Sequence, residues 1–424
     1  MKRISVIILA LIMALGLAAC DAGEKVFAPK LDTSAECRIS VVGSYSNFEA
    51  LEAEFDRFRT YYPNVELSYT KLDDYNNTIS TVLNGNDAPN IFFSFSWMIG
   101  NSAYNGVFDH MENLADPSLG LDLGCIRSGL INRDSQGRVL TVPIFSTSYG
   151  MLINNDLFEK EGLKVPTTMQ ELLDVCAAFR EKGYASPMMG YSAKSSGSLM
   201  YTVAYPAFAG ALAKDPEKVA LANKSDPAAG EYTRPALEAI SKLKTEGCFD
   251  LEKCSEIGDN YNAVILRFFE GDVPMMVCNG DTVSGTMKRE SQSEAFIAHP
   301  FSYSFAPVPT TDKGGYFLDS PSVQFSVNKS CKDLDMTNEF MRFLITNKEL
   351  NQMASVKRLI TPTTDISFDK VYAPLGAADR DHIVSPSALG IEDTIAVQIR
   401  IASFAVGNGT MTVDEAVAAY GTLE

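Results

Sequence analysis

Apolar positions along the chain recur in two periods, one of two residues and one of three to four, and the two alternate. Residues 37–45, Cys-Arg-Ile-Ser-Val-Val-Gly-Ser-Tyr, predict a strand. Phe48, Leu51, Phe55, Phe58 and Tyr62 follow at steps of three and four, which places them on one face of a helix. Pro63-Asn64 stops that helix. Residues 65–69 predict a second strand, 75–83 a second helix ended by Asn84-Gly85-Asn86, and 90–95 a third strand. This alternation predicts a parallel α/β sheet.

The pattern continues with strands at 139–145 and 149–154 and a short helix at 156–161 closed by Gly162. Thr167 and Gln170 predict a capping box for a helix through Lys182. Residues 188–191 predict a strand and 199–212, small and apolar, a buried helix. An amphipathic helix at 235–245 follows, then 263–269 leading through Glu270-Gly271-Asp272 into a strand at 273–278. Strands at 305–308 and 323–327 precede a helix at 334–346. Thr346 with Glu349, and Thr412 with Glu415, cap the last helices. There is no internal repeat and no flexible linker, so lobes joined by strand crossovers are expected.

The N-terminus reads differently. Lys2 and Arg3 precede an apolar run at 4–16, and Leu17-Ala18-Ala19-Cys20 follows. This predicts a secretory signal, too short for a membrane span. The ending resembles the bacterial lipoprotein signal, in which the cysteine is lipidated. That implies Cys20 as the anchor, residues 1–19 as signal peptide and 20–36 as lipidated cysteine and tether. The alternative is an ordinary signal in which Cys20 is incidental.

Charge narrows the function classes. The 424 residues carry 36 Lys plus Arg against 53 Asp plus Glu, a net charge of −17. Nucleic-acid binding needs a basic face that this chain does not supply. His110, His299 and His382 lie far apart, and no metal-ligand spacing or phosphate loop occurs, so no metal and no cofactor are expected. Seven cysteines follow Cys20: Cys37, Cys125, Cys176, Cys248, Cys254, Cys278 and Cys331. Cys248 and Cys254 are the best local disulfide pair, whereas Cys176 lies on an apolar helix stripe and reads as core. None has the histidine neighbourhood of a nucleophile, and no catalytic residue is identified.

Several stretches resemble one family. Residues 58–65 (Phe-Arg-Thr-Tyr-Tyr-Pro-Asn-Val) and 83–91 (Leu-Asn-Gly-Asn-Asp-Ala-Pro-Asn-Ile) are two of them. A specific block runs from Val142-Pro143-Ile144-Phe145 through Gly150-Met151-Leu152-Ile153-Asn154-Asn155-Asp156-Leu157-Phe158 to Glu171-Leu172. Phe268-Phe269-Glu270-Gly271-Asp272-Val273-Pro274-Met275-Met276 and residues 338–344 complete the likeness. Together they resemble the extracellular solute-binding proteins of ATP-binding-cassette importers, the sugar-binding group that includes maltose-binding protein. Two departures stand out: Asn90 replaces the usual Asp, and Gly280 is followed by Asp281 where many relatives place Trp.

The resemblance implies a two-lobed α/β fold of the periplasmic-binding-protein type (type II), crossed more than once by the chain, with a ligand cleft between the lobes. It implies lobe 1 at 37–145 plus 307–350, lobe 2 at 146–306 plus 351–424, and a first hinge near 146–149. It further implies a monomeric, lipid-anchored receptor on the extracytoplasmic face of the membrane. Such a receptor captures a mono- or oligosaccharide by hinge closure and hands it to a membrane permease.

Ligand sites favour lobe interfaces and the C-terminal ends of strands. That rule selects Asn47 and Glu49, then Ser94, Ser96 and Trp97, then Ser146 with its neighbours Thr147 and Tyr149. It also selects Asn279 and Asp281, then Tyr316 and Asp319. Hydroxyls, amides and carboxylates suit sugar hydroxyls, and rings suit a sugar C–H face. Competing structural roles are a capping box for Ser46 and Glu49, packing for Trp97 and Tyr149, and caps or turns for Asp281 and Asp319. The rival functions are a secreted glycosidase with two carboxylates and a surface adhesin.

Overall fold

The computed structural model describes residues 27–423, apart from 96–97, 99–104, 109, 196, 258–260 and 367. Cys20, Ser96 and Trp97 therefore lie outside the described residues. The strands are β1 (Cys37–Gly43), β2 (Val65–Lys71), β3 (Ile91–Ser94), β4 (Val142–Pro143), β5 (Ser146–Thr147), β6 (Tyr149–Asn154), β7 (Met188–Gly190) and β8 (Met275–Asn279). They continue with β9 (Tyr303–Ala306), β10 (Phe317–Leu318), β11 (Ser320–Pro321), β12 (Gln324–Val327) and β13 (Ile383–Val384).

Two separate hydrophobic cores form. The first gathers Ile39 to Phe145 and Val323 to Ala354 around a sheet ordered β2-β1-β3-β12-β4. β1 runs parallel to β2 and β3, but β12 is antiparallel to both β3 and β4. The sheet is thus mixed, where the strand–helix alternation predicts a parallel one. The reason is topological: β12 returns from the second lobe and enters from the opposite end. The strand expected at 139–145 shrinks to two residues, because β12 pairs only with Val142 and Pro143 before the chain leaves the sheet.

The second core gathers Met151 to Leu318 and Ile360 to Tyr420 around a sheet ordered β7-β8-β6-β9. β6 is antiparallel to both neighbours. At Gly150 any Cβ would strike the Ala306 carbonyl, so glycine is what lets β6 and β9 approach.

The helices that matter for the site are α1 (Glu49–Arg59), α2 (Met169–Glu181), α3 (Leu199–Ala213), α4 (Arg234–Thr245), α5 (Gly280–Arg289), α6 (Leu334–Leu344), α7 (Asn347–Lys357) and α8 (Asp393–Asn408). All five residues of the first predicted apolar stripe are buried. α1 packs them against α6 and α7. α3 is buried along nearly its whole length, because α4 and α8 cover the face its sheet leaves free.

Local chemistry adjusts several expectations. The capping box of α2 uses Thr168 and Glu171, one residue later than predicted, because the Met169 N–H is taken by the Thr311 carbonyl at 2.9 Å. The Thr412–Glu415 box forms, and the Thr346 side chain accepts from the Glu349 N–H at 3.3 Å. No Ser46–Glu49 box forms; the Asn47 side chain accepts from the Glu49 N–H at 3.1 Å instead.

The lobe seams also move. Val308, Tyr316, Phe317 and Leu318 pack in the second core, because β10 pairs with β13. Residues 307–318 therefore leave the first lobe. At the third crossover α7 runs unbroken to Lys357 and keeps Met353 and Ala354 in the first core. Residues 27–31, expected within the tether, pack on the first lobe. The Phe27 ring meets Tyr61 at 5.0 Å and Phe343 at 5.3 Å, with the Arg342 guanidinium 4.3 Å away. Backbone N–H groups of Lys30 and Leu31 donate to Glu339 and Tyr62.

Candidate functional site

Three crossovers meet where the cores separate. β5 pairs antiparallel with β11, and Ser146 also bridges Ile360. Arg127 ties them together. Its Nε and Nη2 donate to the two Asp319 carboxylate oxygens at 2.7 Å each. Nη1 donates to the Thr361 and Thr363 carbonyls at 2.7 and 2.9 Å, and Nη2 also donates to Ser146 Oγ at 2.8 Å. One guanidinium therefore contacts all three crossing segments. Only a planar fork of donors can do this, which a lysine could not replace. The pair is buried, with side chains 14% and 6% exposed.

Beside this hinge the second lobe holds a tyrosine cluster in which Tyr201 and Tyr205 are buried and Tyr149 is half-buried. β6 begins at Tyr149, which pairs in register with Asn279 at the end of β8. Tyr149 is half-buried and meets Tyr201 edge-on at 5.7 Å and Tyr205 at 6.0 Å. Tyr201 and Tyr205 are one helical turn apart on α3 and stack at 5.0 Å.

Asn279 has a structural duty. Its Oδ1 accepts from the Thr282 N–H at 3.0 Å and caps α5. Asp281 stands in the first turn of α5 and receives the Ser322 hydroxyl at 3.3 Å. Its side chain is open to solvent, yet the surrounding protein raises its carboxyl above the ordinary value, the Ser322 bond opposing. Beside Gly280, the Thr147 hydroxyl is buried with no hydrogen-bond partner among the described residues. A buried hydroxyl without a partner is costly unless something supplies one.

The first lobe contributes its strand-end loop. Asn47 is exposed, and its carbonyl accepts from Lys357 Nζ at 3.0 Å. Glu49 is paired with Lys357 and with Lys288 of α5, each at 3.2 Å. Burial opposes ionisation of Glu49, but its own N–H and the two ammoniums outweigh it and hold the carboxyl below its usual value. The Lys357 ammonium is lowered by burial and by the repulsion of Lys288. It also lies 4.9 Å from the Tyr45 ring. With Ser284 Oγ donating to the Lys357 carbonyl at 2.6 Å, these bonds join the two lobes directly.

Asn47 and Glu49 bond Lys357, and Glu49 bonds Lys288 in the last turn of α5, whereas Tyr149, Asn279 and Asp281 gather at the start of α5, with Ser146 in the adjoining hinge. Three other candidates do not face the seam. Ser94 is wholly buried in the first sheet, bonded to Ser326 Oγ at 2.9 Å. Asp319 is consumed by Arg127. Tyr316 lies at the far end of α3, against Gly210, and stacks near His382 at 5.1 Å. There it lines a concavity of ≈ 1200 Å³ with Lys214, Arg380 and His382. Only second-lobe residues line that groove, so it does not compete with the seam. Sequence reading missed Arg127, Lys288, Lys357, Tyr201 and Tyr205. The tyrosines carried a signal, an i, i+4 ring pair in an otherwise small-residue helix; the cations carried none.

Among the described residues no group of three His, Cys, Asp or Glu side chains is placed to hold a metal ion. No described helix is long and apolar enough to cross a membrane.

Comparison with known proteins agrees with this architecture. Residues 43–350 match the family described as bacterial extracellular solute-binding protein. No curated protein sequence matches the chain. Among solved structures, apo RafE from Streptococcus pneumoniae superposes with a TM-score of 0.69 at 16% identity, over 94% of this chain and 98% of that one. The GacH receptor of Streptomyces glaucescens, solved unliganded and with acarbose, gives 0.65 at 19% identity, over 92% and 97%. A sugar transporter protein from Bacillus licheniformis, in complex with stachyose, gives 0.62 at 15% identity, over 91% and 100%. At these identities the likeness establishes the fold, two α/β lobes.

Proposed function

This chain belongs to the bacterial extracellular solute-binding protein family, and from that premise we propose that it is a receptor that captures a neutral oligosaccharide between its lobes. The observation that carries this is the seam itself. The half-buried Tyr149 stands at the start of β6 against Asn279, with an exposed carboxylate, Asp281, and a buried hydroxyl without a partner among the described residues, Thr147, beside Gly280. Rings suit the C–H face of a sugar, and Asp281 and Thr147 suit its hydroxyls. GacH binds acarbose and the Bacillus licheniformis protein binds stachyose, which supports an oligosaccharide over a charged solute.

Capture proceeds by hinge closure about the three crossovers. Ligand favours the closed state only through contacts that both lobes make at once. A wrong sugar leaves buried polar groups such as Thr147 unpaired. The loaded receptor hands its sugar unchanged to an ATP-binding-cassette permease, with the lipid on Cys20 keeping it at the membrane. No chemistry on the sugar is required of any residue.

The test is thermal unfolding of residues 21–424 against raffinose, stachyose, maltotriose and monosaccharides. A ligand at a hundred times its Kd stabilises by about 2.7 kcal/mol. The expected outcome is a raised midpoint with one sugar, recovered intact, and loss of that shift in Tyr149→Ala relative to the variant's own unliganded midpoint. No shift with any sugar would overturn the ligand class. A cleaved sugar would instead identify a glycosidase.

A further inference from the structure

Lys288 and Glu49 belong to different lobes. Lys288 stands in the last turn of α5, whose Val283 and Met287 are buried in the second core. Glu49 opens α1, whose Ala50 and Leu51 are buried in the first. Lys288 Nζ donates to Glu49 Oε1 at 3.2 Å. Neither residue lies on a crossing segment, so turning one lobe about the crossovers changes their separation. The other carboxylate oxygen is held from within the first lobe. Glu49 Oε2 accepts from Lys357 Nζ at 3.2 Å, and the same ammonium donates to the Asn47 carbonyl at 3.0 Å. Lys357 ends α7, which packs on α1. Lys357 therefore orients the carboxylate, and Lys288 carries its bond across the seam.

Two ammoniums share this one carboxylate. Lys288 repels Lys357, and Glu49 opposes that effect. Removing the carboxylate would thus turn an attraction across the seam into a repulsion. We propose that Glu49 and Lys288 form an ion-pair latch that draws the lobes together independently of any ligand. The inference rests on the two-lobed fold and goes beyond the sugar reading. Side-chain exposures of 40% for Glu49 and 30% for Lys288 set its strength as that of a part-exposed pair. Such a pair shifts the ratio of latched to unlatched molecules by about two- to five-fold and is weakened by salt. Its use is in affinity. A ligand held between lobes binds in proportion to the fraction of molecules already competent, and the latch enlarges that fraction.

The exported chain, kept free of sugar, would carry spin labels on non-canonical side chains at Glu66 of β2 and Glu238 of α4, one exposed position in each lobe. Pulsed electron paramagnetic resonance would give the distribution of distances between them in low and high salt, about 20 and about 500 mM. Latched molecules are those at the distance the structure sets. In the native chain the latched-to-unlatched ratio should fall by about two- to five-fold on adding salt. Lys288→Met should show that fall already in low salt and no response to salt. Glu49→Gln, which leaves like charges facing across the seam, should lie lower still in low salt and rise toward Lys288→Met as salt screens the repulsion. Lys288→Arg should match the native chain. One distribution for all chains at both salts would overturn the proposal. So would a loss in both neutral variants without these different responses to salt, which would leave the side chains a packing role. Because no sugar is present, failure of the sugar assignment leaves this result standing.

Discussion

Glu54 is wholly buried beneath the first lobe's outer helices, and one of its oxygens has no partner among the described residues. Burial, then the hydrogen bond and negative charge of Glu349, push its carboxyl up to about 9, with Arg57 opposing. Arg57 pairs with both carboxylates, at 2.9 Å to Glu349. A single cation cannot neutralise two buried carboxylates, so the pair retains a proton at neutral pH. The raised value fixes the sign. Between the unfolded carboxylate pKa and about 9 the native state holds one proton more than the unfolded state. Stability therefore falls as pH rises across that window, by at most about 1.4 kcal/mol per unit. Glu54→Gln should flatten that slope, read by urea unfolding from pH 5 to 8. An unchanged slope would mean the proton is held elsewhere. Nothing in the sequence around Glu54 announces this, because Glu349 lies 295 positions away (349 minus 54).

At the scale of elements, periodicity carried the reading where an element buries a single face. The α1 stripe and the Thr412–Glu415 box follow from local patterns alone. Strand direction did not follow, since β12 depends on a crossover made elsewhere. The same distinction separates the site residues. Tyr149 and Asp281 sit at strand ends that hydrophobic runs delimit, whereas Asp319 also ends a strand yet is spent on Arg127. Local sequence cannot reveal a partner 192 positions away. The Arg127 junction yields a prediction for the hinge. Arg127→Met should cost about 3–5 kcal/mol, because the buried Asp319 charge is left unpaired. Arg127→Met combined with Asp319→Leu should recover a large part of that loss, read by chemical denaturation. Equal loss in the single and double variants would show that the carbonyl bonds to Thr361 and Thr363, not the ion pair, hold the junction.

For the whole molecule, the parts combine into two cores joined by three short crossings, with Phe27 packed on the first lobe. The Glu49–Lys288 pair spans the same seam that a ligand would close. The central claim is capture between lobes, and small-angle X-ray scattering tests it most directly. Residues 21–424 would be measured alone and at saturation with the sugar that raises the unfolding midpoint. The account predicts a smaller radius of gyration with sugar in the native chain, and no compaction in Tyr149→Ala at the same sugar concentration. A saturating sugar that leaves the native scattering curve unchanged would contradict capture by closure.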